Sequence, residues 1–260
     1  MKLNFKKLGS GKPLIILHGL FGSLDNWQTI GKQFAEKFTV YLVDQRNHGQ
    51  SPHNVAWDYQ VMVDDLDDLI HDENIQKPIL IGHSMGGKTA MLYANQKPEK
   101  IAGLVVVDIA PKQYDPHHEH ILKALNAVDL DKITTRKEAE DILSDYIKDS
   151  GTKQFLLKSL YWNDLENKKL DWRFNRKVIS ENIATAGLGI QFHKPLTGFA
   201  VLFIAGGKSD YITEKDHDFI KKMFPEAEIK TIENAGHWVH AEAPVDFYSI
   251  VFEFIESRVK

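Results

Sequence analysis

The sequence predicts an α/β fold: a mainly parallel sheet with helices on both faces and an inserted helical cap. Short apolar runs alternate with helix-like segments, the rhythm of strand–helix–strand units. Runs such as Leu104-Val105-Val106-Val107 are apolar without a break, which suits strands covered on both faces. After Asp108 the rhythm stops, and no strand-like run is expected between Pro111 and Pro195.

In order, strands are expected over Leu14–Leu17, Val40–Val43, Ile79–Ile81, Leu104–Val107, Val201–Ile204 and Glu228–Ile232. The intervening helices fall near Trp27–Lys37, Tyr59–Glu73, Lys88–Asn95, Lys215–Met223 and Val245–Ser257. Inside the break, Thr135 is placed to cap a helix. Its apolar positions Ala139, Ile142, Leu143, Tyr146 and Ile147 repeat every three or four residues. Residues 1–110 and 196–260 are thus expected to form the core, and residues 111–195 an all-helical cap over the carboxyl ends of the strands. That is where open α/β sheets bind ligands.

Composition sets bounds on the chemistry. The chain has 260 residues, 43% hydrophobic and 26% charged, with a net charge of −4. That charge gives no reason to expect nucleic acid or an anionic membrane as a partner. There are no cysteines, which removes disulfides, thiolate nucleophiles and zinc–thiolate sites. The Leu14–Leu17 run is too short for a signal or a membrane span, so a cytoplasmic protein is expected.

The chemistry is concentrated in Ile79-Leu80-Ile81-Gly82-His83-Ser84-Met85-Gly86-Gly87. An apolar strand runs into Gly-x-Ser-x-Gly and then into a helix, the context of a nucleophile elbow with Ser84 at its tip. A Cβ at Gly82 or Gly86 would collide with the neighbouring strand or helix. The hydroxyl needs a base, and His237 stands where one is required, after the last strand and the turn Asn234-Ala235-Gly236. His240 is expected to pack at the start of the following helix. Asp108 and Asp210 both follow strands at positions from which a carboxylate orients an imidazole. Donors for an oxyanion are expected from the Met85 amide and from His18-Gly19-Leu20-Phe21-Gly22, with the Leu20 amide first and Phe21 second. His18 is expected to brace that loop.

Several of these segments together resemble the α/β-hydrolase superfamily and, within it, the YbfF-like esterases and their mitochondrial relatives. They are His18-Gly19-Leu20-Phe21-Gly22-Ser23, Asp44-Gln45-Arg46-Asn47-His48-Gly49, Gly82 through Lys88, Val107-Asp108-Ile109-Ala110-Pro111, Gln154-Phe155-Leu156-Leu157-Lys158, Trp172-Arg173-Phe174-Asn175 and Gly236-His237-Trp238-Val239-His240. The resemblance implies a serine esterase with a helical cap and carries Ser84 and His237 into catalytic roles. It also favours Asp108 over Asp210 as the acid.

The expected activity is hydrolysis of small to medium acyl esters, or thioesters, through an acyl-enzyme and without a cofactor. C–C hydrolysis, lyase or perhydrolase chemistry on the same scaffold is the alternative, as is a non-enzymatic hydrolase-like binding protein. Phe155, Trp162, Trp172 and Phe174 are the aromatic candidates for an acyl pocket in the cap. The run Asp64 to Asp68 lacks the glycine of a calcium loop and is expected to be a solvated helix face. His117, His118 and His120 are expected on the cap surface rather than around a metal. Arg46-Asn47-His48 is expected to clamp a loop.

Overall fold

A computed structural model describes residues 1–115, 118–167 and 169–259. The chain begins with β1 (Phe5–Leu8) and β2 (Lys12–Leu17), followed by α1 (Gln28–Phe34), β3 (Phe38–Val43), α2 (Tyr59–Asp72), β4 (Ile79–His83), α3 (Met85–Gln96) and β5 (Gly103–Val107). A long excursion follows: α4 (Glu119–Ala127), α5 (Arg136–Tyr146), α6 (Ser150–Lys158), β6 (Leu160–Asp164), β7 (Lys169–Trp172), α7 (Arg176–Glu181) and α8 (Ala184–Gly187). The chain then returns through β8 (Ala200–Gly206), α9 (Glu214–Met223), β9 (Glu228–Ile232), α10 (Val239–Glu242) and α11 (Pro244–Arg258).

The main sheet has the order β1-β3-β2-β4-β5-β8-β9. All neighbours are parallel except β1, which runs antiparallel to β3 at the edge. Successive side chains of a strand enter opposite layers. Leu14 and Ile16 pack with Ile30 and Phe34 of α1 and Phe247 and Val251 of α11. Ile15 and Leu17 pack with Val63 and Leu66 of α2 and Ala90 and Met91 of α3. Burial on both faces is why these strands read as unbroken apolar runs.

The chain leaves β2 toward β3 on one side, while β4 lies on the other, so a crevice opens between β2 and β4. Register aligns Leu17 with Gly82, His83 with Val107, and Val107 with Ile204. The loops that follow these strands therefore emerge side by side.

The inserted segment carries the expected helices, and Thr135 caps α5 in a reciprocal arrangement with Glu138. It is not all-helical, however: β6 and β7 form an antiparallel hairpin, with Leu160 opposite Trp172. The hairpin buries Leu170 and Trp172 and turns Lys169 outward. In β7 this alternation, one face covered, leaves no continuous apolar run to find. β1 was hidden for the same reason, since two lysines separate Phe5 from Leu8 at an edge. In α5, Ala139 and Leu143 are buried but Tyr146 is 46% exposed. Among the described residues no helix is long and apolar enough to cross a membrane.

Candidate active site

Ser84 sits between β4 and α3 at φ 52° and ψ −116°. A non-glycine residue in that region carries strain of about 1–3 kcal/mol that the surroundings must impose. The two glycines make the turn tight enough. A Cβ on Gly82 would lie 2.3 Å from the Gly86 carbonyl oxygen, and one on Gly86 would lie 2.5 Å from that of Leu17. The Ser84 N–H donates to Val107 O at 3.0 Å, and Ser84 O accepts from Lys88 N at 3.0 Å. Strand β5 and helix α3 thus fix the turn from both sides.

Asp108 also has a positive φ, 47°, at the end of β5. Its carboxylate is fully buried. Oδ1 accepts from the Gly206 N–H at 3.0 Å, and Oδ2 accepts from His237 Nδ1 at 2.8 Å and from the Ser209 hydroxyl. Asp210 is exposed, and among the described residues it makes no bond to the imidazole. Ser209, one position earlier in the loop, is the residue that turns inward, to the Asp108 carboxylate.

Two rings hold the imidazole of His237. Tyr211 stacks on it at 4.0 Å between centroids, and His83 lies 4.7 Å away at a tilt. His83 donates Nε2–H to the His237 carbonyl at 2.8 Å. Burial, with the neighbouring His237 and His240 imidazoles, keeps His83 well below the ordinary histidine range. It is therefore a neutral donor.

His18 braces the loop after β2 as expected. Its Nδ1–H donates to Gly19 O at 2.8 Å, and its Nε2 accepts from the Gln45 amide at 3.0 Å. The Gln45 side chain donates to His18 O at 2.7 Å and accepts from Thr89 of α3 at 3.0 Å. Gly19 lies against the elbow, since a Cβ there would meet the His83 ring at 2.7 Å and Ser84 Cβ at 3.3 Å. Among the described residues the Leu20 and Met85 amides donate to no protein acceptor. The Phe21 amide is different: it donates to Nε2 of His48 at 3.2 Å. Burial, then His18, lowers His48 to about 3, so the ring stays a neutral acceptor. The Phe21 amide is therefore occupied.

Leu20, Phe21, Ser84, Tyr211, His237 and Trp238 line one cavity of about 190 Å³. The inserted segment closes it with His118, His120, Ile121, Thr152, Phe155 and Leu156. No hydrogen bond joins Ser84 Oγ to His237 among the described residues, although both border this space. Phe155 stacks on Trp238 at 3.7 Å and so seals the wall next to His237.

Of the four aromatic candidates, only Phe155 lines the cavity. Trp172 and Phe174 are buried, stacked on each other at 5.5 Å, and Phe174 reaches Phe21 at 5.1 Å. Backbone bonds pull them there. Gly49 N donates to Arg173 O at 2.5 Å, and Asn175 N donates to Asn47 O at 2.8 Å. They form the floor beneath the loop after β2. Trp162 is half-buried against the same apolar cluster, outside the cavity.

Arg46 does clamp its loop, pairing twice with Asp65 at 2.5 and 2.9 Å. Asp65 is thereby buried, unlike its solvated neighbours Asp64 and Asp68. His117 lies outside the described residues. No group of three His, Asp or Glu side chains among the described residues is arranged to hold a metal ion.

Residues 12–244 match the family described as alpha/beta hydrolase fold. The chain belongs to the α/β-hydrolase family. It is 37% identical over 251 residues to the esterase YbfF of Escherichia coli strain K12, covering 94% of this chain and 95% of that protein. It is 39% identical over 255 residues to the sn-1-specific diacylglycerol lipase ABHD11 of Xenopus laevis, covering 95% of this chain and 80% of the lipase. A solved structure titled marine microorganism esterase superposes with a TM-score of 0.93 at 44% identity, covering 98% of this chain and 99% of the other. Within the α/β-hydrolase family, then, this chain is similar to esterases and lipases over nearly its full length. His83, Tyr211, Ser209 and Trp238 are the site residues that sequence reasoning missed, and only their proximity to Ser84, Asp210 and His237 in the chain signals them.

Proposed function

We propose that this α/β-hydrolase is a serine carboxylic-ester hydrolase acting on small to medium acyl esters, with Ser84, His237 and Asp108 as its triad. The observation that carries the reading is the Asp108–His237 bond at 2.8 Å, made at the wall of the cavity that Ser84 also borders. Asp108 holds Nδ1 protonated, which leaves Nε2 as the base. Ser84 Oγ attacks the ester carbonyl carbon and gives its proton to Nε2. The amides of Leu20 and Met85 donate to the oxygen as it becomes an oxyanion. Collapse expels the alcohol, which takes the proton from His237. A water molecule, deprotonated by the same imidazole, then releases the acid and restores Ser84.

The inserted residues 111–195 serve as the cap. Ile121, Phe155 and Leu156 give the cavity an apolar wall on the acyl side. Among the described residues the lining has no lysine, arginine, aspartate or glutamate, which supports an uncharged acyl group as the part bound. The test is a series of p-nitrophenyl esters of rising chain length. Turnover that peaks at short or medium chains and vanishes in Ser84→Ala supports the reading. Absence of turnover across the series, with no labelling of Ser84 by a phosphonate probe, overturns it.

A further inference from the structure

Lys88 lies in the first turn of α3, four residues after Ser84, and its side chain is completely buried. Among the described residues no carboxylate pairs with it. Its Nζ donates instead to two backbone carbonyls, Lys112 O at 2.6 Å and Leu188 O. The ring of Tyr114 lies 5.0 Å from the ammonium. Those two carbonyls belong to the two ends of the inserted segment, where it leaves and rejoins the core.

The two ends are also bound to each other. Tyr114 N donates to Gly187 O at 2.8 Å, and Ile190 N donates to Pro111 O at 2.8 Å. Glycines permit this approach: a Cβ on Gly187 would lie 2.5 Å from Tyr114 O, and one on Gly189 would lie 2.9 Å from Gln113 N. Residues 111–114 and 187–190 thus form a paired neck. A buried cation is costly unless its donors are satisfied, and here both acceptors belong to the neck.

We propose that Lys88 is a positioning residue that fastens the neck of the inserted segment to the helix carrying the nucleophile turn, and so sets the cavity wall formed by Phe155 and Ile121. The inference rests on the esterase reading only for its kinetic consequence. The fastening itself is a statement about the neck.

Burial, and then Lys112, lower Lys88 to about 7, so its charge is sensitive to pH near neutrality. Among the described residues, the ionisable groups that face it include Lys112 and Tyr114 of the neck, with Asp216 of α9 behind them, paired to Lys112 at 2.7 Å. From α2, Tyr59 donates its hydroxyl to Ala186 O at 2.9 Å. Burial raises both tyrosines beyond their ordinary range, and Asp216 is held low by Lys112 and Thr213 despite its burial. These three do not change charge between pH 6 and pH 9.

The test is amide hydrogen exchange and ester kinetics on the full chain of Lys88→Met. Exchange at 111–114 and 187–190 is expected to rise about tenfold or more, with the sheet unchanged. KM is expected to rise about tenfold while kcat stays within about twofold, the split for lost uniform binding. Lys112→Ala, which keeps the Lys112 carbonyl, leaves exchange at 187–190 unchanged. Unchanged neck exchange in Lys88→Met overturns the proposal, as does a fall in kcat at constant KM, which would place the effect at the nucleophile turn. If Lys88→Met does not fold, the wild-type protein decides. An open neck returns Lys88 to water and binds more protons than the closed one, so neck protection relative to the sheet must rise as pH rises through about 7, and a flat ratio overturns the proposal. Exchange needs no turnover, so failure of this inference is distinguishable from failure of the esterase reading.

Discussion

His83 holds His237 by its backbone: Nε2 of one imidazole lies 2.8 Å from the carbonyl oxygen of the other residue. The side chain just before Ser84 therefore fixes the loop that carries His237. His83→Leu orphans that carbonyl and frees the loop. A misplacement of about 1 Å costs about 100-fold in rate, so kcat is expected to fall between about 10- and 100-fold. Because His83 is neutral, the pH at which activity rises should not move. Steady-state kinetics across pH check both statements.

The strain at Ser84 separates stability from activity. Ser84→Ala is expected to lower kcat by about 10⁵–10⁶-fold with the fold intact. Ser84→Gly removes activity equally but adopts φ 52° without penalty. It should raise Tm by about 2–4 °C for each kcal/mol of strain relieved. Differential scanning calorimetry of the two variants measures the difference.

The acid is tested by paired substitutions. Asp108→Asn favours the wrong imidazole tautomer and is expected to lower kcat by about 10⁴-fold. Asp210→Asn, at an exposed position, is expected to change kcat by less than about threefold. A crippling Asp210→Asn with a mild Asp108→Asn would reverse the assignment.

Acid sensitivity follows from His18, His48 and His240, buried and neutral like His83. Burial, opposed by a backbone bond to Gly19, lowers His18 to about 4. Burial and His18 lower His48 to about 3, and burial with His237 lowers His240 to about 3. In the unfolded chain each takes up a proton near pH 6.5, whereas in the folded chain each resists until about pH 3–4. The unfolded state thus binds more protons below pH 6.5, so their stabilisation is complete above that value and is lost progressively toward pH 3. Thermal melts should show Tm falling steadily from pH 6.5 to pH 4. His240→Phe, which preserves the stack on Trp27, should flatten the fall.

The central strands and the nucleophile turn were legible because burial on both faces and glycine spacing write themselves directly into sequence. Asp108 and Asp210 were not separable by position alone. What distinguishes them is a loop in which Ser209 rather than Asp210 turns inward. The Trp172 and Phe174 side chains carried the composition of an acyl pocket but serve as flooring, because backbone bonds from Asn47 and Gly49 set their depth. Asp65 looked like one of a solvated series, and its partner Arg46 lies 19 positions earlier in the chain. Contacts of that kind leave no local pattern.

The bonds from Gly49 to Arg173 and from Asn175 to Asn47 have a mechanical consequence. They stitch the far part of the inserted segment to the loop after β3, while its two ends are joined to each other. A panel held at two separate places does not swing as a door; it bows between them. The span left between those places, α4 to α6, is the one that holds Ile121, Phe155 and Leu156. A substrate entering by displacing the wall would therefore bend this span, and the Leu20 and Met85 amides would keep their places while it passed.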